Sequence, residues 1–325
     1  GKFIMRTFLD YSIIITVWFG VVVGCAAPPT QPIDYAKLKE ASVEILVNGR
    51  LAGSGSVVDA QGHVFIANHM VPGDEAKVEA QSTALGRHPI QLVARDRAHD
   101  LLLLKLPARD QPYPHLSLAK ANTKAGQPVY LFGAPVFRHH VMISGTVAHD
   151  RPTFEFYDGA FREILHISAI SPIGTSGGPW VNVHGELIGV QSAAMTINGA
   201  HQGIAYAAPL ASLRRLLKKK ETVHSSTMQT GVEELWGQEP KFIAQLPKGV
   251  RGLVVRQLRA NGVAAKAGLK EWDVIVAADG KPVERTEDLL NRIRAKQPGQ
   301  HIKLRATDRM GKNSREITIK LSPIR

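Results

Sequence analysis

Short runs of β-type sequence fill most of the chain between residues 41 and 208, and they constrain its fold more than any other feature. The runs are rich in valine, isoleucine and leucine, and glycine, proline and aspartate separate them. Many short strands with almost no helical periodicity indicate an all-β barrel or sandwich. The ten clearest runs are 43–47, 55–59, 63–67, 90–95, 101–106, 129–132, 141–148, 164–167, 187–192 and 204–207.

The whole chain of 325 residues is longer than this β-rich region. At roughly 150 residues per domain, the length predicts two domains, each large enough to bury a core. Leucines at 210, 213, 216 and 217 lie on one stripe and predict a helix after the last strand. The charged and polar stretch 218–228 predicts a linker. We therefore expect a first domain over 41–217 and a second over 229–325.

Positive charge is concentrated in the second domain. The chain carries a formal net charge of +12. Residues 41–217 contain 14 basic and 13 acidic side chains, whereas residues 229–325 contain 19 and 11. The sequence of the second domain shows no basic helix and no interleaving of basic with aromatic residues, so a solvated surface explains the surplus better than a nucleic-acid site. We expect no nucleic-acid partner.

The N-terminal segment has the features of a signal peptide. Lys2 and Arg6 are basic, residues 11–24 are almost wholly apolar, and the single cysteine of the chain, Cys25, follows Gly24. This apolar run is shorter than the ~18–20 residues that a transmembrane helix needs. The pattern resembles a bacterial lipobox and predicts a signal peptide over 1–24, lipid attachment at Cys25 and a tether over 25–40. An ordinary signal or a short membrane anchor is the alternative.

A serine between glycines marks the segment with the clearest chemical meaning, residues 173–179 (IGTSGGP). A tight turn here can expose the hydroxyl of Ser176. It can also aim the backbone N–H groups of Gly174 and Ser176 at one point, as an oxyanion hole requires. Glycine suits such a turn because it adopts unusual backbone angles at little cost. A glycine-rich hairpin turn without catalytic meaning is the alternative.

A serine nucleophile needs a histidine as general base and a carboxylate that orients this base. His69 ends a β-type run just before a Pro-Gly turn, and Asp100 directly precedes the apolar run Leu101–Leu104. Three nearby residues compete for these roles: Asp96 for that of Asp100, and His63 and His99 for that of His69. The order His69, Asp100, Ser176 matches the chymotrypsin-type triad order.

With these residues in place, the chain resembles the HtrA/Deg family of serine proteases. Four ordered segments carry the resemblance: 53–69 around the histidine, 96–105 around the aspartate, 174–190 around the serine, and 203–209 as a closing strand. The resemblance implies a mainly β protein in which a chymotrypsin-like double β-barrel precedes a small α+β domain. It also implies two six-stranded barrels with His69, Asp100 and Ser176 in the cleft between them.

The sequence departs from the family in two places that bear on function. Thr175 stands where the family usually has Asn, and its side chain is not needed for a backbone oxyanion hole. The segment 46–52 is short, so the long regulatory loop of some members is not expected, and a homotrimer is the implied assembly.

Specificity should come from residues beside Ser176, namely Ile173, Gln191, Ser192 and Ala193. Their apolar or neutral character predicts cleavage after small or medium aliphatic residues.

The second domain resembles a PDZ domain of the protease-associated type over about residues 229–322. The strings 267–269 (AGL), 273–275 (DVI) and 279–283 (DGKPV) carry this resemblance, and 286–294 predicts a helix with Thr286 as its N-cap. PDZ domains bind C-terminal peptides by adding a strand to a sheet edge. The residues expected to bind peptide are Thr230, Gly231, Val232, Leu289 and Ile293. A PDZ domain that only packs on the protease is the alternative.

Together these features predict a serine endopeptidase of the bacterial cell envelope, periplasm-facing and membrane-anchored, that acts on misfolded or exposed polypeptides. A non-catalytic chaperone or scaffold, which binds peptides through the same fold and the PDZ domain, is the second hypothesis. No cluster of spaced histidines and carboxylates in the sequence implies a metal or a cofactor.

Overall fold

The computed structural model of the protein describes residues 33–325. The predicted signal peptide, Cys25 and the first part of the predicted tether lie outside the described residues. Within 33–325, no helix is long and apolar enough to cross a membrane.

The first seven strands form one curled antiparallel sheet. They are β1 Ser42–Val47, β2 Arg50–Val57, β3 His63–Ala67, β4 Val78–Ser82, β5 Gly86–Pro89, β6 Gln91–Asp96 and β7 Leu101–Lys105. Their order across the sheet is β5-β4-β1-β2-β3-β7-β6. Asn48 and Gly49 connect β1 to β2 with φ angles of 51° and 78°, as a two-residue hairpin turn requires. The short 46–52 segment is therefore a tight turn.

The next seven strands form a second sheet, of which six close into a ring. They are β8 Pro128–Gly133, β9 Val141–Val147, β10 Thr153–Tyr157, β11 Ala160–Ser168, β12 Pro179–Val181, β13 Leu187–Ile197 and β14 Ala200–Pro209. Their order is β10-β11-β14-β13-β12-β8-β9, and a further pairing of β11 with β9 closes the ring. The seventh strand, β10, pairs with β11 alone and projects from this barrel as the outer strand of a hairpin.

The C-terminal region forms a smaller sheet flanked by helices. Its strands are β15 Ser226–Thr227, β16 Gly231–Glu234, β17 Leu253–Arg256, β18 Val274–Ala278, β19 Lys281–Pro282, β20 His301–Thr307, β21 Arg315–Lys320 and β22 Ser322–Pro323. The main sheet has the order β16-β17-β18-β20-β21, with β19 beside β18, while β15 pairs with β22. The helices of the described chain are α1 Tyr35–Ala41, α2 Leu210–Lys219, α3 Pro240–Ile243, α4 Val263–Lys266 and α5 Thr286–Arg294.

The helix α2 packs against both of the first two sheets. Its leucines at 210, 213 and 216 are buried in the core, and Ser212 Oγ donates a hydrogen bond to the carbonyl of Pro209 at 2.7 Å. Leu213 and Leu216 pack with residues of both sheets, such as Leu103 and Val190, so that α2 holds the two sheets together. The amphipathic stripe predicted from the sequence is thus the buried face of this helix.

Three local features differ from the sequence-based expectations. Residues 35–41 of the expected tether form α1, which buries Leu38 and Ala41 against the core. The expected linker 218–228 contributes β15, which pairs with the end of the chain. Thr286 is the first residue of α5 and not its cap, because Asp288 Oδ2 accepts the N–H groups of Glu284 and Arg285 instead.

Candidate active site

His69 and Asp100 meet where two strands of the first sheet end. His69 lies in a 3-10 turn directly after β3, and Asp100 has a left-handed backbone (φ 51°) directly before β7. Since β3 and β7 are neighbours, this geometry places the two side chains in contact. The Nδ1 atom of His69 lies 2.7 Å from Asp100 Oδ2, and the His69 backbone N–H donates to Asp100 Oδ1 at 2.8 Å.

The two groups shift each other's pKa values in the directions that catalysis by a histidine base requires. Burial would raise the pKa of Asp100, but the hydrogen bond and charge of His69 outweigh burial and lower it. Burial would lower the pKa of His69, but the hydrogen bond and charge of Asp100 raise it above its ordinary value. The fully buried carboxylate therefore stays charged and fixes the His69 ring with Nε2 as the free nitrogen.

The three competing residues form separate pairs. His63 Nδ1 lies 2.6 Å from Asp59 Oδ2, on the far end of β3. His99 Nδ1 lies 3.0 Å from both carboxylate oxygens of Asp96, and its Nε2 lies 3.3 Å from Glu163 Oε2. His63, His99 and Asp96 are thus paired with residues other than Ser176.

The loop around Ser176 has backbone angles that glycine supplies. Gly174 has φ +96°, and a Cβ atom at this position would lie 2.2 Å from the carbonyl oxygen of Ala134. Gly177 has φ +81°, and its Cβ would lie 2.1 Å from the carbonyl oxygen of Ser54. No residue of the described chain accepts a hydrogen bond from the N–H of Gly174 or of Ser176. Both N–H groups thus lack an acceptor in the described chain, which the predicted oxyanion hole requires of this pair.

Ser54 joins this loop to the first sheet. Its Oγ donates to the carbonyl of Gly174 at 3.0 Å and accepts the N–H of Ala134 at 3.0 Å. Its backbone N–H donates to the carbonyl of Ser176 at 2.8 Å. A single buried residue therefore binds the carbonyl groups of both neighbours of Thr175, Gly174 and Ser176. This role of Ser54 is not predictable from local sequence, because the contact joins positions 120 residues apart.

A strained loop orients the peptide before Gly174. The N–H of Val136 donates to the carbonyl of Ile173 at 2.6 Å, which turns this carbonyl toward residues 134–137. Val136 and Phe137 have φ angles of 47° and 61°, although neither is glycine and valine is β-branched. Such strain costs roughly 1–3 kcal/mol per residue and persists only where surrounding contacts enforce it.

Ser176 and His69 line the same cleft, which has a volume of about 1210 Å³. Within the described chain, Ser176 Oγ makes no hydrogen bond to His69 and instead lies 3.5 Å from the carbonyl oxygen of Ser192. Catalytic hydrogen bonds are often long before substrate binds.

The residues predicted to bind substrate have different roles around this cleft. Ile173 is 80% exposed at its rim, and Ala193 lines its wall. Gln191 also lines the cleft, but its amide is committed internally to Trp180, Ser171 and Ala193. Its side chain therefore shapes the wall and offers little to substrate.

Ser192 supports the carboxylate. Its Oγ donates a hydrogen bond to Asp100 Oδ2, and the hydroxyl of Tyr157 lies 2.9 Å from the same Oγ. Because a serine hydroxyl has one proton, Tyr157 must be the donor of the second bond. Tyr157, His201 and Arg162 also line the cleft. None of these three residues was predicted from the sequence: Tyr157 and Arg162 belong to the β10–β11 hairpin, and His201 lies in β14 just before the recognised segment 203–209.

The five residues predicted to bind a C-terminal peptide lie together in the C-terminal region. Gly231 and Val232 begin β16, and Thr230 directly precedes this strand. Leu289 and Ile293 of α5 line one space with Thr230 and Val232. The space between these elements is small, about 10 Å³, because Phe161 of β11 also lines it.

Comparison with known proteins matches two parts of the chain to two different families. Residues 53–190 match the family model of a trypsin-like peptidase domain, and residues 224–321 match that of a PDZ domain. A probable periplasmic serine endoprotease, DegP-like, from Pseudomonas putida (strain GB-1) is 30% identical over 258 residues, which cover 78% of this chain and 52% of the relative. The corresponding protein of Pseudomonas fulva is 27% identical, with 83% of this chain and 56% of the relative covered. The chain thus spans about half the length of the curated relatives it matches.

Solved structures show the same fold. The HtrA-type protease AlgW, solved with a decapeptide, has a TM-score of 0.61 at 21% identity, with 90% of this chain and 99% of that chain covered. A serine endoprotease from Yersinia pestis has a TM-score of 0.59 at 20% identity, with the same coverages of 90% and 99%. The chain described here is therefore a trypsin-like peptidase domain joined to a PDZ domain, and it is homologous to the DegP/HtrA serine endoproteases.

Proposed function

We propose that the protein is a serine endopeptidase in which His69, Asp100 and Ser176 form the catalytic triad. The observation that carries the proposal is the buried Asp100–His69 pair, which opens on the cleft that also holds Ser176 and two unpartnered backbone N–H groups. The resemblance of residues 53–190 to a trypsin-like peptidase domain supports it.

In this mechanism Ser176 Oγ attacks the carbonyl carbon of the scissile peptide while His69 Nε2 takes its proton. Asp100 stabilises the imidazolium that results, and the same proton then passes to the leaving amine. The N–H groups of Gly174 and Ser176 stabilise the oxyanion of the tetrahedral intermediate. Water attacks the acyl-enzyme in the second half of the reaction, with His69 again as the base.

The apolar residues near Ser176 favour neutral side chains at the position before the cleaved bond, although Arg95, Arg97 and Arg162 also line the cleft. Ile173, Ala193 and Ala194 are apolar, and no carboxylate of the described chain other than Asp158 lines the cleft. We therefore infer cleavage after small or medium aliphatic residues of misfolded or exposed polypeptides. Such substrates present extended segments of backbone, and the attack of Ser176 on a peptide bond needs the substrate in this extended form.

The relatives and the N-terminal sequence support a proposal for the cellular location and the assembly. Relatives from Pseudomonas and Brucella suis bear the name of periplasmic endoproteases, which supports a periplasmic location. The lipobox-like sequence at Cys25 supports attachment to a membrane through lipid. The two-residue turn at Asn48 and Gly49 leaves no long loop that could lock a larger assembly, which favours a homotrimer.

A chaperone or scaffold is the second candidate, since Ser176 and His69 make no hydrogen bond in the structure. Labelling by a fluorophosphonate separates the two candidates, because an activated serine displaces fluoride from the reagent and becomes phosphonylated. We expect the wild type to label and to cleave casein, and Ser176→Ala to do neither. Ser168→Ala is the matched control, since Ser168 is exposed on β11 outside the cleft. Suppression of aggregation by an unreactive wild type would establish the chaperone instead.

A further inference from the structure

The cleft beside the triad carries a surplus of positive charge that acyl transfer does not require. Four arginines line it, namely Arg95, Arg97, Arg162 and Arg325. Asp158 is the single aspartate or glutamate of the described chain that lines it with them. The partners of the four guanidinium groups therefore decide how much of this charge faces a substrate.

Two of these arginines are paired within the chain. Arg95 is almost fully buried, and its guanidinium lies 2.9 Å from a carboxylate oxygen of Asp74. Arg162 is similarly buried, and it donates a hydrogen bond to Asp158 Oδ2 at 3.0 Å. It also donates to the backbone carbonyl of Arg97. These contacts commit both side chains, and they also commit the one acidic residue of the cleft.

Arg97 has no such partner. It is half-buried, and its guanidinium forms no hydrogen bond and no ion pair with any residue of the described chain. Burial lowers the pKa of Arg97, and the nearby charge of Arg95 lowers it further. Arginine nevertheless stays protonated in proteins. Arg97 therefore brings a positive charge to the cleft that no acid of residues 33–325 pairs with.

A second unpaired arginine lies close to Arg97. Ile324 is buried in one cluster with Ala98, the residue next to Arg97. The backbone N–H of Ile324 donates to the carbonyl of Ser225 at 2.9 Å, which holds this segment in place. The following residue, Arg325, is exposed, lines the cleft and forms no ion pair within the described part of the chain. A buried contact thus brings two unpaired cations to the same region of the cleft.

The free edge of β13 indicates which part of a substrate reaches this region. Beyond Gln191, β13 pairs with β14 alone in the described sheet, so residues 192–196 leave one edge open. A peptide that pairs antiparallel with this edge runs toward its first residue, beside Ser176. The residues before the cleaved bond then lie along 192–196.

Arg97 lies on the segment that adjoins this edge. Ser192, the first residue of the open edge, donates a hydrogen bond from its Oγ to Asp100. Arg97 begins the 3-10 turn that leads directly into Asp100. A substrate strand on β13 therefore passes the turn that carries Arg97 before it reaches Ser176.

We propose that Arg97 and Arg325 form a subsite for an acidic side chain at the second, third or fourth residue before the cleaved bond. A substrate carboxylate can form the charge-assisted hydrogen bonds for which arginine is suited, and Arg97 has no internal partner to give up. The substrate class is then an exposed polypeptide segment in which glutamate or aspartate precedes a small or medium aliphatic residue. This inference rests on the proposed function as a serine endopeptidase.

A general attraction of acidic peptides is the competing explanation. The chain has a net charge of +12, which attracts any acidic peptide over a long range. Such attraction does not depend on where the acid stands in the peptide, whereas a subsite accepts it at a fixed distance from the cleaved bond. The position of the acid therefore separates the two explanations.

Cleavage is tested with fluorogenic peptides of glycine and serine in which a single valine precedes the cleaved bond. One glutamate stands at the second, third or fourth residue before that bond, and matched peptides carry glutamine there. At one of these positions, kcat/KM of the wild type should be about five-fold higher for glutamate than for glutamine. A glutamate after the cleaved bond should give a ratio near one. An equal ratio at every position would overturn the subsite.

Variants assign the preference to Arg97. Arg97→Ala should bring the ratio of kcat/KM values to about one, Arg97→Lys should keep most of it, and Arg97→Glu should favour a lysine peptide instead. The ratio compares two substrates on one enzyme, so a general loss of activity from a disturbed fold cancels. Arg325→Ala should lower the ratio part of the way, and an unchanged ratio would remove Arg325 from the subsite.

Arg50→Ala is the matched control for these variants. Arg50 is an exposed arginine at the start of β2, it does not line the cleft, and its loss changes the net charge by the same amount. This variant should keep the ratio of the wild type. Equal ratios for Arg97→Ala and Arg50→Ala would overturn the role of Arg97.

Binding in the Ser176→Ala background separates this proposal from that of protease activity. A wild type that does not react with fluorophosphonate would remove the proposed protease function, but fluorescein-labelled forms of the same peptides still report on the subsite. The full chain with Ser176→Ala should bind the glutamate peptide about five-fold more tightly than the glutamine peptide, and added salt should reduce the difference. Equal affinities for the two peptides would overturn the subsite, whatever the catalytic result.

Discussion

Ser54 Oγ donates a hydrogen bond to the carbonyl oxygen of Gly174 over 3.0 Å, and this bond ties the first sheet to the loop that carries Ser176. The same hydroxyl accepts the N–H of Ala134, so it also holds the strained loop on the other side of Gly174. The orientation of the oxyanion donors thus depends on a side chain in β2, far from them in sequence. In this arrangement Ser54 is a positioning residue.

Ser54→Ala should lower kcat by roughly ten-fold, because one buried hydrogen bond contributes about 1 kcal/mol and its loss also leaves the Gly174 carbonyl unpaired. KM should change little, since Ser54 does not line the cleft. Ser56→Ala is the matched control: Ser56 follows two positions later in β2, is equally buried, and its Oγ has no hydrogen-bond partner. Equal kcat values for the two variants would show that Ser54 has no special role.

Gly174→Ala should abolish cleavage while the chain still folds. A Cβ atom at this position would lie 2.2 Å from the carbonyl oxygen of Ala134, so the loop must move and the oxyanion donors with it. Loss of one such donor costs about 100- to 1000-fold in kcat. Gly185→Ala is the control, since Gly185 also has a positive φ (+72°) but nothing lies within 4 Å of its Cβ position. Cleavage and circular dichroism of both variants provide the measurement.

Strands and helices with a repeating local pattern of apolar residues could be predicted from the sequence. All ten predicted β-runs overlap strands of the structure, and the predicted helices around Leu213 and Leu289 are present. Four strands of the first two sheets were missed: β4, β5, β10 and β12. β5 is polar and β12 has three residues, so neither shows a detectable alternation. β10 alternates phenylalanines, but the partners of that face, such as Val232 and Leu289, lie in the PDZ domain, far along the chain.

The site was predictable only where its residues have distinctive neighbours in the sequence. His69 and Asp100 end and begin apolar strands, and Ser176 lies among glycines, so local pattern was enough to select them. Ser54 and Tyr157 act through single hydrogen bonds to residues far away in the chain. No spacing rule encodes such contacts, because they depend on how the first two sheets and the β10–β11 hairpin meet.

The pH dependence of cleavage should follow the His69–Asp100 pair. Burial would lower the pKa of His69, but the hydrogen bond and charge of Asp100 raise it. Because only neutral His69 can accept the Ser176 proton, kcat/KM should rise with pH through a midpoint above about 6.5. Asp100→Asn removes the charge, so the midpoint should move to lower pH and kcat should fall by about 10⁴-fold. A pH profile of casein cleavage for both proteins measures the two effects, and an unchanged midpoint would contradict the pairing.

His99 should remain protonated in the folded protein near neutral pH. Both of its ring nitrogens face carboxylates, those of Asp96 and Glu163, and a ring that donates from both nitrogens is an imidazolium. Burial would lower the pKa of His99, but the charge and hydrogen bonds of Asp96, followed by those of Glu163, raise it. The guanidinium of Arg215 also lies beside the ring, 3.4 Å from Nδ1.

A raised pKa in the folded state sets the sign of the effect on stability. The contribution of His99 is complete below the pKa of the unfolded chain, near 6.5, and is lost as pH rises through the higher folded pKa. The free energy of unfolding of the wild type should therefore fall between neutral and alkaline pH relative to His99→Gln, which has no charge to lose. At pH 6 this variant should be less stable by about 2 kcal/mol, since it loses a hydrogen bond between charged groups. Urea unfolding from pH 6 to pH 9 measures the difference, with exposed His184→Gln as the control, and a gap between wild type and His99→Gln that stays constant with pH would show that His99 is neutral throughout.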